Sequence, residues 1–511
     1  MIMPGLSKSK YTKFCQCDKA LWLKTYKPDE EKVDDATKRR FEQGNEVGDL
    51  AMGLFGDYKE AHAEKADGSL DLAAMTEQTR QWMAEGVENI CEASFLYHGN
   101  YCAVDILRKT PGGWAIYEVK SVTYPDEKEP KKIDKFIPDI AYQKWLLTQC
   151  GVKVTGTYLV CLNKDYVRDG DLDIPNLFVK VDMEEKIAGN LLSVPVNVER
   201  ALNTLQLADE PTTGLNMGCH KPYPCGFWKY CTRHLPQPSV FDVYSGSRWG
   251  FTFDKKLNCY HEGNVTIDSL RDKSLGKIQD LQVACTLDKR EHIDRDEIRR
   301  FLADLTYPLY FLDFESMQDA IPQYDNASPY TQLCFQYSLH IKRSADAPYE
   351  HREYLAPSNG SDPRRGLAEQ LCRDIPMGVC TLVYNKTFEC GRLKEMAAIY
   401  PDLAGHLLDI ESNIKDLLVP FRKGYYYMPA MGGSFSIKSV LPALFPDEPS
   451  LNYHNLDERV QNGGDAMTIF PQIQNMDPDE AEATREALLR YCELDTWAMV
   501  KVWEKLQAVT Q

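Results

Sequence analysis

The sequence contains no apolar run that approaches the length of a membrane span, which takes about 20 consecutive apolar residues. It also lacks an excess of basic residues, because 59 Lys and Arg stand against 76 Asp and Glu and give a formal net charge of -17. The N-terminus carries Lys8, Lys10 and Lys13 where a signal peptide would have its apolar core. We therefore expect a cytoplasmic protein without membrane contacts. Binding of nucleic acid through bulk positive charge is excluded, so any contact with phosphate must be local or mediated by a metal ion.

The chain is too long for a single hydrophobic core. Its 511 residues, of which 43% are hydrophobic and 26% charged, have the composition of a globular protein of two or three domains. Helical and strand-like patterns succeed one another, which predicts an α/β, multidomain architecture. We predict three segments, 1–235, 236–305 and 306–511, with the middle one a charged and largely helical connector.

Three cysteines stand at equal intervals in residues 219–231, whose sequence is CHKPYPCGFWKYC. The prolines and the glycine of this segment forbid a regular helix or a central strand, so loop backbone would bring the three thiols together. A tetrahedral centre needs a fourth soft ligand, which Cys15 or Cys17 could supply. Thiolates alone do not distinguish zinc from an iron-sulfur cluster. A third interpretation is that these are ordinary reduced thiols, since the chain has 16 Cys and several lie in apolar surroundings.

A predicted β-hairpin carries the first set of charged side chains. Residues 101–108 and 114–122 alternate as two strands around a Thr-Pro-Gly-Gly turn. Glu118 and Lys120 point to one face of the second strand, and Asp105 lies in its partner. Placing two carboxylates and an amine in a mostly apolar hairpin costs free energy unless a charged ligand binds them. A divalent cation bound by the carboxylates would be such a ligand. A solvent-exposed strand face with a Glu-Lys pair is the alternative.

The order of these residues resembles that of a known nuclease family. Asp105, then Glu118-Val119-Lys120, then a predicted helix with Gln143, all bracketed by the early and late cysteines, resembles the RecB-like PD-(D/E)XK nucleases. The nearest branch is the iron-sulfur one that includes the CRISPR-associated single-strand exonucleases. The resemblance covers the first segment and implies a restriction-endonuclease-like mixed sheet with helices.

The same resemblance implies roles for these residues. Asp105 and Glu118 would bind the catalytic metal, Lys120 would serve the hydrolytic step, and Gln143 would face the site. A four-iron, four-sulfur cluster of structural role would be held by four thiols, those of Cys17, Cys219, Cys225 and Cys231.

The chain departs from the family pattern in two places. Many relatives have a metal-binding histidine on an early helix, but no His precedes His62 here, which leaves Glu46 as the nearest substitute. Cys15 is an extra thiol beside the expected ligand. We choose Cys17, inside a helix predicted over 7–25, because the Asp-Lys-Ala-Leu-Trp-Leu that follows it is similar to the family's run.

A second set of polar side chains lies near the C-terminus. Asp313 and Glu315 share one face of the apolar strand 310–316, and such paired carboxylates are the arrangement that divalent metals neutralise. Glu389 follows a later strand within Asn-Lys-Thr-Phe-Glu. Tyr491 and Asp495 are four residues apart and therefore lie on one face of a long final helix. A helix surface with an incidental tyrosine is the alternative for that pair alone.

Together these residues resemble the DnaQ-like, ribonuclease H-fold exonucleases of the DEDD class, in the subtype marked by the tyrosine. The resemblance covers about residues 306 to 508. It implies that two Mg²⁺ or Mn²⁺ ions are bound and that Tyr491 positions the nucleophilic water. The implied metal ligands are Asp313, Glu315, Glu389 and Asp495. Glu389 departs from the family pattern, which has Asp at that position.

Both halves together are similar to an uncharacterised bacterial family that fuses a RecB-like domain to a DnaQ-like one. We expect a metal-dependent nuclease with two hydrolytic centres that acts on DNA, or on RNA, at single strands or ends, in repair or defence. The alternative is a nucleic-acid-binding or assembly protein in which one or both centres are inactive.

Overall fold

A computed structural model describes residues 5–126, 128–129, 131–246 and 250–511, with the backbone alone at 35 and 36. These residues form two compact units. The first comprises Met1–His234 with Asp319–Thr331, and the second comprises Leu235–Gln318 with Gln332–Gln511. The division differs from the three predicted segments in two respects. The predicted connector 236–305 belongs to the second unit, and 319–331 belongs to the first.

The first unit is built on a mixed sheet of seven strands. Six strands follow the order β2-β3-β4-β5-β6-β7, and β1 pairs with β4. Strands β3, β4 and β5 form an antiparallel meander, whereas β5 and β6 are parallel. The strands are β1 (Leu6–Ser7), β2 (Lys59–Glu60), β3 (Asn89–Tyr97), β4 (Asn100–Thr110), β5 (Gly113–Tyr124), β6 (Val154–Asn163) and β7 (Phe178–Asp182).

Helices cover both faces of this sheet. The helices are α1 (Lys8–Gln16), α2 (Asp18–Tyr26), α3 (Asp35–Met52), α4 (Leu72–Glu85), α5 (Ile137–Gln149), α6 (Ile174–Leu177), α7 (Glu184–Leu205) and α8 (Trp228–Thr232). Trp114 and Ile116 of β5 join a core formed with α1, α5 and α7, whereas Val119 joins a core formed with α3. Because strand side chains alternate between faces, Glu118 and Lys120 lie on the side of α1 and α5.

The helix predicted over 7–25 is interrupted at Cys17. The first helix ends when the Cys17 N–H donates to the Lys13 carbonyl, and Cys17 itself is extended, with φ -167° and ψ 127°. It then precedes α2 as the N-cap residue. The prediction that Cys17 lies inside a helix is therefore wrong, and its thiol is presented from a break between two helices.

The second unit contains a five-stranded sheet with the order β11-β10-β9-β12-β13. Strands β9, β10 and β11 are antiparallel, and β12 runs parallel to both β9 and β13. A separate pair joins β8 to β14. The strands are β8 (His292–Ile293), β9 (Leu309–Gln318), β10 (Gln332–Lys342), β11 (Tyr349–Leu355), β12 (Cys380–Val383), β13 (Ile414–Asp416) and β14 (Tyr426–Tyr427).

Helices also pack on both faces of the second sheet. They are α9 (Phe253–His261), α10 (Lys277–Asp288), α11 (Arg295–Ala303), α12 (Arg364–Asp374), α13 (Thr387–Ile399), α14 (Pro401–Ser412), α15 (Val419–Arg422), α16 (Ile437–Leu444), α17 (Gly463–Ile469) and α18 (Pro478–Ala508). Tyr310 and Leu312 of β9 pack with α12, α13 and α14, whereas Leu309 and Phe311 pack with α18. The alternation along β9 therefore directs Asp313 toward α18.

Among the helices of the described ranges, none combines the length and the apolar character that a bilayer crossing demands.

Candidate functional site

Four predicted residues of the first unit meet beside β5. Glu118 is fully buried, and its Oε2 accepts a 2.7 Å hydrogen bond from Gln143 Nε2. Lys120 Nζ binds Glu118 Oε1. Asp105 lies on the neighbouring strand and accepts a 2.6 Å hydrogen bond from the backbone N–H of Val119. The structure thus brings Asp105, Glu118, Lys120 and Gln143 into one group, which we call the first centre.

Two further residues complete the first centre, and the sequence analysis missed both. Lys8 Nζ lies 2.9 Å from Glu118 Oε1 and 3.7 Å from Asp105 Oδ1. Asp139 binds Lys120 Nζ at 3.0 Å and accepts a 3.0 Å hydrogen bond from Gln143. Three carboxylates therefore face two ammonium groups, so most of the negative charge of the first centre is already paired.

The charges of the first centre shift the pKa values of its neighbours. Burial opposes the charge of Lys8, but the surrounding carboxylates raise its pKa well above the usual value, so Lys8 stays protonated. Glu92 of β3 lies between Cys91 and Ala93, which pair with the residues on either side of Asp105. Burial and the charge of Asp105 raise the pKa of Glu92 to about 7. Glu46, the proposed substitute for an early histidine, lies on α3 with Asp319 and Arg39 as its charged neighbours.

The four predicted cysteine ligands also belong to the first unit. Asn216 connects two of them, because its side-chain amide lies 4.0 Å from Cys17 Sγ and its backbone N–H donates to Cys219 Sγ at 3.5 Å. The Cys225 N–H donates to the Cys219 carbonyl, and Cys231 lies on α8. Three of the cysteines, Cys17, Cys225 and Cys231, pack against one apolar cluster that includes Trp22 and Phe227.

The separation of these thiols bears on what they could hold. A single zinc ion with Zn–S bonds of about 2.3 Å would place its sulfur ligands about 3.8 Å apart. No three of the four described thiols have sulfur atoms that all lie within 4.8 Å of one another. Burial raises the pKa of Cys219 and Cys225, and that of Cys231 to about 11. Cys15 is exposed, whereas Cys17 is partly buried, which favours Cys17 as the ligand.

The second unit brings together the predicted C-terminal residues. Asp313 and Glu315 extend from β9, and their carboxylate oxygens lie within 4.8 Å of each other and of the Cys492 thiol. Tyr491 and Asp495 lie on the buried side of α18, and Glu389 is buried at the start of α13. We call Asp313, Glu315, Glu389, Tyr491 and Asp495 the second centre.

The second centre is crowded with negative charge. Burial, followed by the charge of Asp495, raises the pKa of both Asp313 and Glu315. Burial likewise raises the pKa of Asp495 itself and, together with Asp416, that of Glu389. These carboxyl groups are therefore held partly protonated in the absence of a cation, which is the electrostatic condition that a divalent ion relieves.

One carboxylate oxygen of Glu389 is buried without a hydrogen-bond partner among the described residues. The residue is 2% exposed, and the oxygen is its Oε2. A buried carboxylate oxygen without a partner costs free energy, so a cation bound to Glu389 would stabilise it. Gln143 Oε1 of the first centre is buried and unpaired in the same way.

Two residues that the sequence analysis missed support the second centre. Tyr453 donates a 2.6 Å hydrogen bond to Asp495 Oδ1, and Lys438 Nζ donates to the Tyr491 hydroxyl at 3.2 Å. Tyr453 lies in a short 3-10 turn and Lys438 on α16, and neither belongs to a motif. The sequence therefore held no signal for Tyr453 or Lys438.

Asp139 of the first centre could have been found from the sequence. It stands four residues before Gln143, and this spacing places both side chains on the same helix face.

Comparisons with known proteins identify relatives of uncharacterised function. A family model described as a domain of unknown function (DUF2779) matches residues 310–436, which include Asp313, Glu315 and Glu389. Uncharacterized protein UU173 of Ureaplasma parvum serovar 3 is 30% identical over 217 residues, which cover 38% of this chain and 30% of that protein. Uncharacterized protein MG366 homolog of Mycoplasma pneumoniae is 27% identical over 210 residues, covering 38% of this chain and 31% of that protein. The chain thus spans less than a third of the length of these relatives. No solved structure matches it.

Proposed function

We propose that this protein is a metal-dependent nuclease that hydrolyses phosphodiester bonds of DNA, or of RNA, at single strands or ends. The observation that carries the proposal is the second centre, where four carboxylates converge with raised pKa values and one buried carboxylate oxygen has no partner. Such a site gains most from divalent cations, and the nucleic acid backbone is the anionic substrate that these cations would recruit in a protein of negative net charge.

The donor set of the second centre fits two Mg²⁺ or Mn²⁺ ions, which prefer carboxylate oxygens. The residues that would hold them are Asp313, Glu315, Glu389 and Asp495. When bound, such ions lower the pKa of a water molecule and stabilise negative charge on the departing 3'-oxygen. The five-stranded sheet with helices on both faces suits a ribonuclease H-like fold for the second unit.

The chain's own residues would orient the reaction. Lys438 holds the Tyr491 hydroxyl at 3.2 Å, so this hydroxyl has a defined direction in which to hold the attacking water. Tyr453 fixes one oxygen of Asp495, and the Tyr491 hydroxyl also interacts with this carboxylate. Both contacts would reduce the reorganisation that catalysis needs.

We propose a second hydrolytic centre in the first unit, with a PD-(D/E)XK fold. Asp105 and Glu118 would hold its metal ion, and Lys120 would stabilise negative charge on the phosphate or orient water. A four-iron, four-sulfur cluster on Cys17, Cys219, Cys225 and Cys231 would join the two ends of that unit. The charges of Cys17, Cys219 and Cys225 all act on the Cys231 thiol, which supports a common centre for the four cysteines.

Separate substitutions test the two centres. The assay follows 3'-end- and 5'-end-labelled DNA and RNA with Mg²⁺ and with Mn²⁺. Asp313→Asn should abolish 3'-to-5' trimming and leave cleavage that depends on Asp105 intact, because the charges of Asp495, Glu315 and Glu389 all act on Asp313, which makes it the carboxylate best placed to serve two ions. Asp346→Asn is the matched control, since Asp346 is an exposed carboxylate of the same unit. Absence of trimming by the wild type on every labelled end, with either metal, would contradict the proposal for the second centre.

A second candidate function is that of a nucleic-acid-binding or assembly protein. The ion pairs of the first centre favour this second function for the first unit. Lys8 occupies the space beside Asp105 and Glu118 where a cation would bind. Nucleic-acid binding by the wild type without any Asp105-dependent cleavage would support this alternative for the first unit.

A further inference from the structure

Two histidines and a glutamate form a cluster that belongs to neither centre. His340 of β10 and His351 of β11 are cross-strand partners, and their ring centroids lie 4.6 Å apart. Glu493 of α18 reaches the same place, with its Oε1 3.9 Å from His351 Nδ1. One nitrogen or oxygen atom of each side chain lies within 4.8 Å of those of the other two.

Hydrogen bonds orient both imidazole rings. His351 Nε2 lies 2.9 Å from the Ser338 hydroxyl, and His340 Nδ1 lies 2.8 Å from the Thr496 hydroxyl. The two hydroxyls are 2.7 Å apart, and that of Thr496 donates to the Glu493 carbonyl at 3.1 Å. When each imidazole donates its N–H to its hydroxyl, all four groups are satisfied.

In this pair of tautomers, one nitrogen of each ring remains for a ligand. With His340 Nδ1 and His351 Nε2 acting as donors, His340 Nε2 and His351 Nδ1 each keep an unshared electron pair. The lone pair of His351 lies on the side of the Glu493 carboxylate. Neutral imidazoles whose second nitrogen donates to a fixed oxygen are the usual form of histidine metal ligands.

We propose that His340, His351 and Glu493 bind one first-row divalent transition-metal ion of the Zn²⁺ class. Zn–N and Zn–O bonds of about 2.0 to 2.2 Å place tetrahedral ligand atoms about 3.4 Å apart. His351 Nδ1 and Glu493 Oε1 lie 3.9 Å apart and the other pairs lie within 4.8 Å, so the side chains must move closer to one another to hold the ion. Two imidazoles and one carboxylate suit Zn²⁺ better than Mg²⁺, which prefers oxygen ligands. Glu493 is half exposed, so water can complete the coordination shell.

The ion would connect three elements, β10, the neighbouring strand β11 and helix α18. Glu493 is two residues from both Tyr491 and Asp495, which places it on a different side of α18 from that pair. The ion shares no ligand with the second centre. It holds in place the helix that carries two residues of that centre, and its role is structural.

Metal binding by the full chain tests the proposal. Wild type and variants are stripped with EDTA and titrated with Zn²⁺ against a chromophoric chelator, and with Co²⁺ for its visible absorption. His351→Gln and Glu493→Gln should each bind one equivalent of Zn²⁺ fewer than the wild type. The matched controls are His454→Gln and Glu486→Gln, which alter exposed residues of the same unit and should retain full stoichiometry.

The Co²⁺ spectra separate this site from the cysteines. The difference between wild type and His351→Gln should show a visible ligand-field band without the intense near-ultraviolet band of a thiolate ligand, because no sulfur atom is among the three ligands. Each variant is first melted in EDTA, and a melting temperature near that of the wild type shows that it is folded. If His351→Gln does not fold, Glu493→Gln decides the test, because its side chain is half exposed. Equal Zn²⁺ stoichiometry in wild type and the folded variant would overturn the proposal.

Discussion

The Tyr453 hydroxyl donates a 2.6 Å hydrogen bond to Oδ1 of Asp495, and both side chains are buried. This bond lowers the pKa of the Asp495 carboxyl against the opposing effect of burial. Tyr453 therefore offsets part of the effect of burial on the pKa of Asp495, and it restricts the orientation of that carboxylate. A residue outside every motif thus supports the proposed ligand set.

Tyr453→Phe should weaken metal binding by the second centre. Loss of a hydrogen bond to a buried carboxylate costs on the order of 1.5 kcal/mol or more, so the Mn²⁺ concentration for half-maximal trimming should rise about tenfold. Direct Mn²⁺ titration by electron paramagnetic resonance should show a parallel decrease in affinity. The matched control is Tyr349→Phe, which removes a 2.8 Å hydroxyl–carboxylate bond to Glu504 elsewhere in the unit. Equal Mn²⁺ affinity of Tyr453→Phe and wild type would contradict the assigned role.

The second centre should make the metal-free protein less stable as pH rises. Burial raises the pKa of Glu315 and of Glu389 to about 8, so the folded state binds protons that the unfolded state releases near pH 4.5. The unfolding free energy contributed by these groups therefore falls between about pH 4.5 and pH 8. In EDTA, the melting temperature should drop by several degrees across this window.

Divalent metal should reverse this trend, because it binds the ionised carboxylates. The rise in melting temperature on adding Mn²⁺ should be larger at pH 8 than at pH 5.5. Glu315→Gln removes one titrating group, so its melting temperature in EDTA should depend less on pH than that of the wild type. If Glu315→Gln and the wild type show the same dependence of melting temperature on pH in EDTA, Glu315 does not cause the loss of stability.

Cys225→Ser should remove the visible absorption expected of an iron-sulfur cluster in anaerobically purified protein. It should also destabilise the first unit, because the proposed cluster joins Cys17 to a loop about 200 residues later. Cys15→Ser is the matched control, since Cys15 is an exposed thiol two residues from Cys17. Stoichiometric zinc without iron in the wild type would exclude the cluster.

Lys8→Met should increase the affinity of the first centre for Mn²⁺ several-fold. Lys8 binds Glu118 and Asp105, so its removal frees negative charge that a cation can use. The measurement is a Mn²⁺ titration in a chain that also carries Asp313→Asn, which weakens the second centre. Lys10→Met on the same helix is the control. Unchanged or weaker Mn²⁺ binding by Lys8→Met would show that Lys8 does not compete with a cation.

Local patterns predicted the elements that carry the sites. The long final helix expected from the sequence is observed over Pro478–Ala508, because a long apolar periodicity follows the N-cap Asp477. The alternation along β9 placed Asp313 and Glu315 on one face. The break at Cys17 could not be predicted, since the residues on both sides of it favour a helix.

Contacts between residues far apart in the sequence could not be predicted either. Lys8 reaches Glu118 from a helix that was predicted without any indication of its partner, and Tyr453 reaches Asp495 from a segment without a motif. Such pairs depend on how strands and helices pack in three dimensions, and a single sequence records that only indirectly. The departures from the family patterns, by contrast, could be recognised from the sequence. The missing early histidine and the Glu at position 389 both concern positions that the family motifs define.

The first unit is assembled from two separate stretches of chain, because 319–331 belongs to it. Within that unit, Asp319 binds Arg39 at 2.9 Å, and Tyr330 donates to the Ser121 carbonyl at 2.7 Å. During synthesis on a ribosome, a nascent chain that has emerged as far as His234 still lacks this stretch. The N-terminal unit can then reach its final packing only after strand β9 of the second unit has also been made, so the two units cannot mature strictly one after the other.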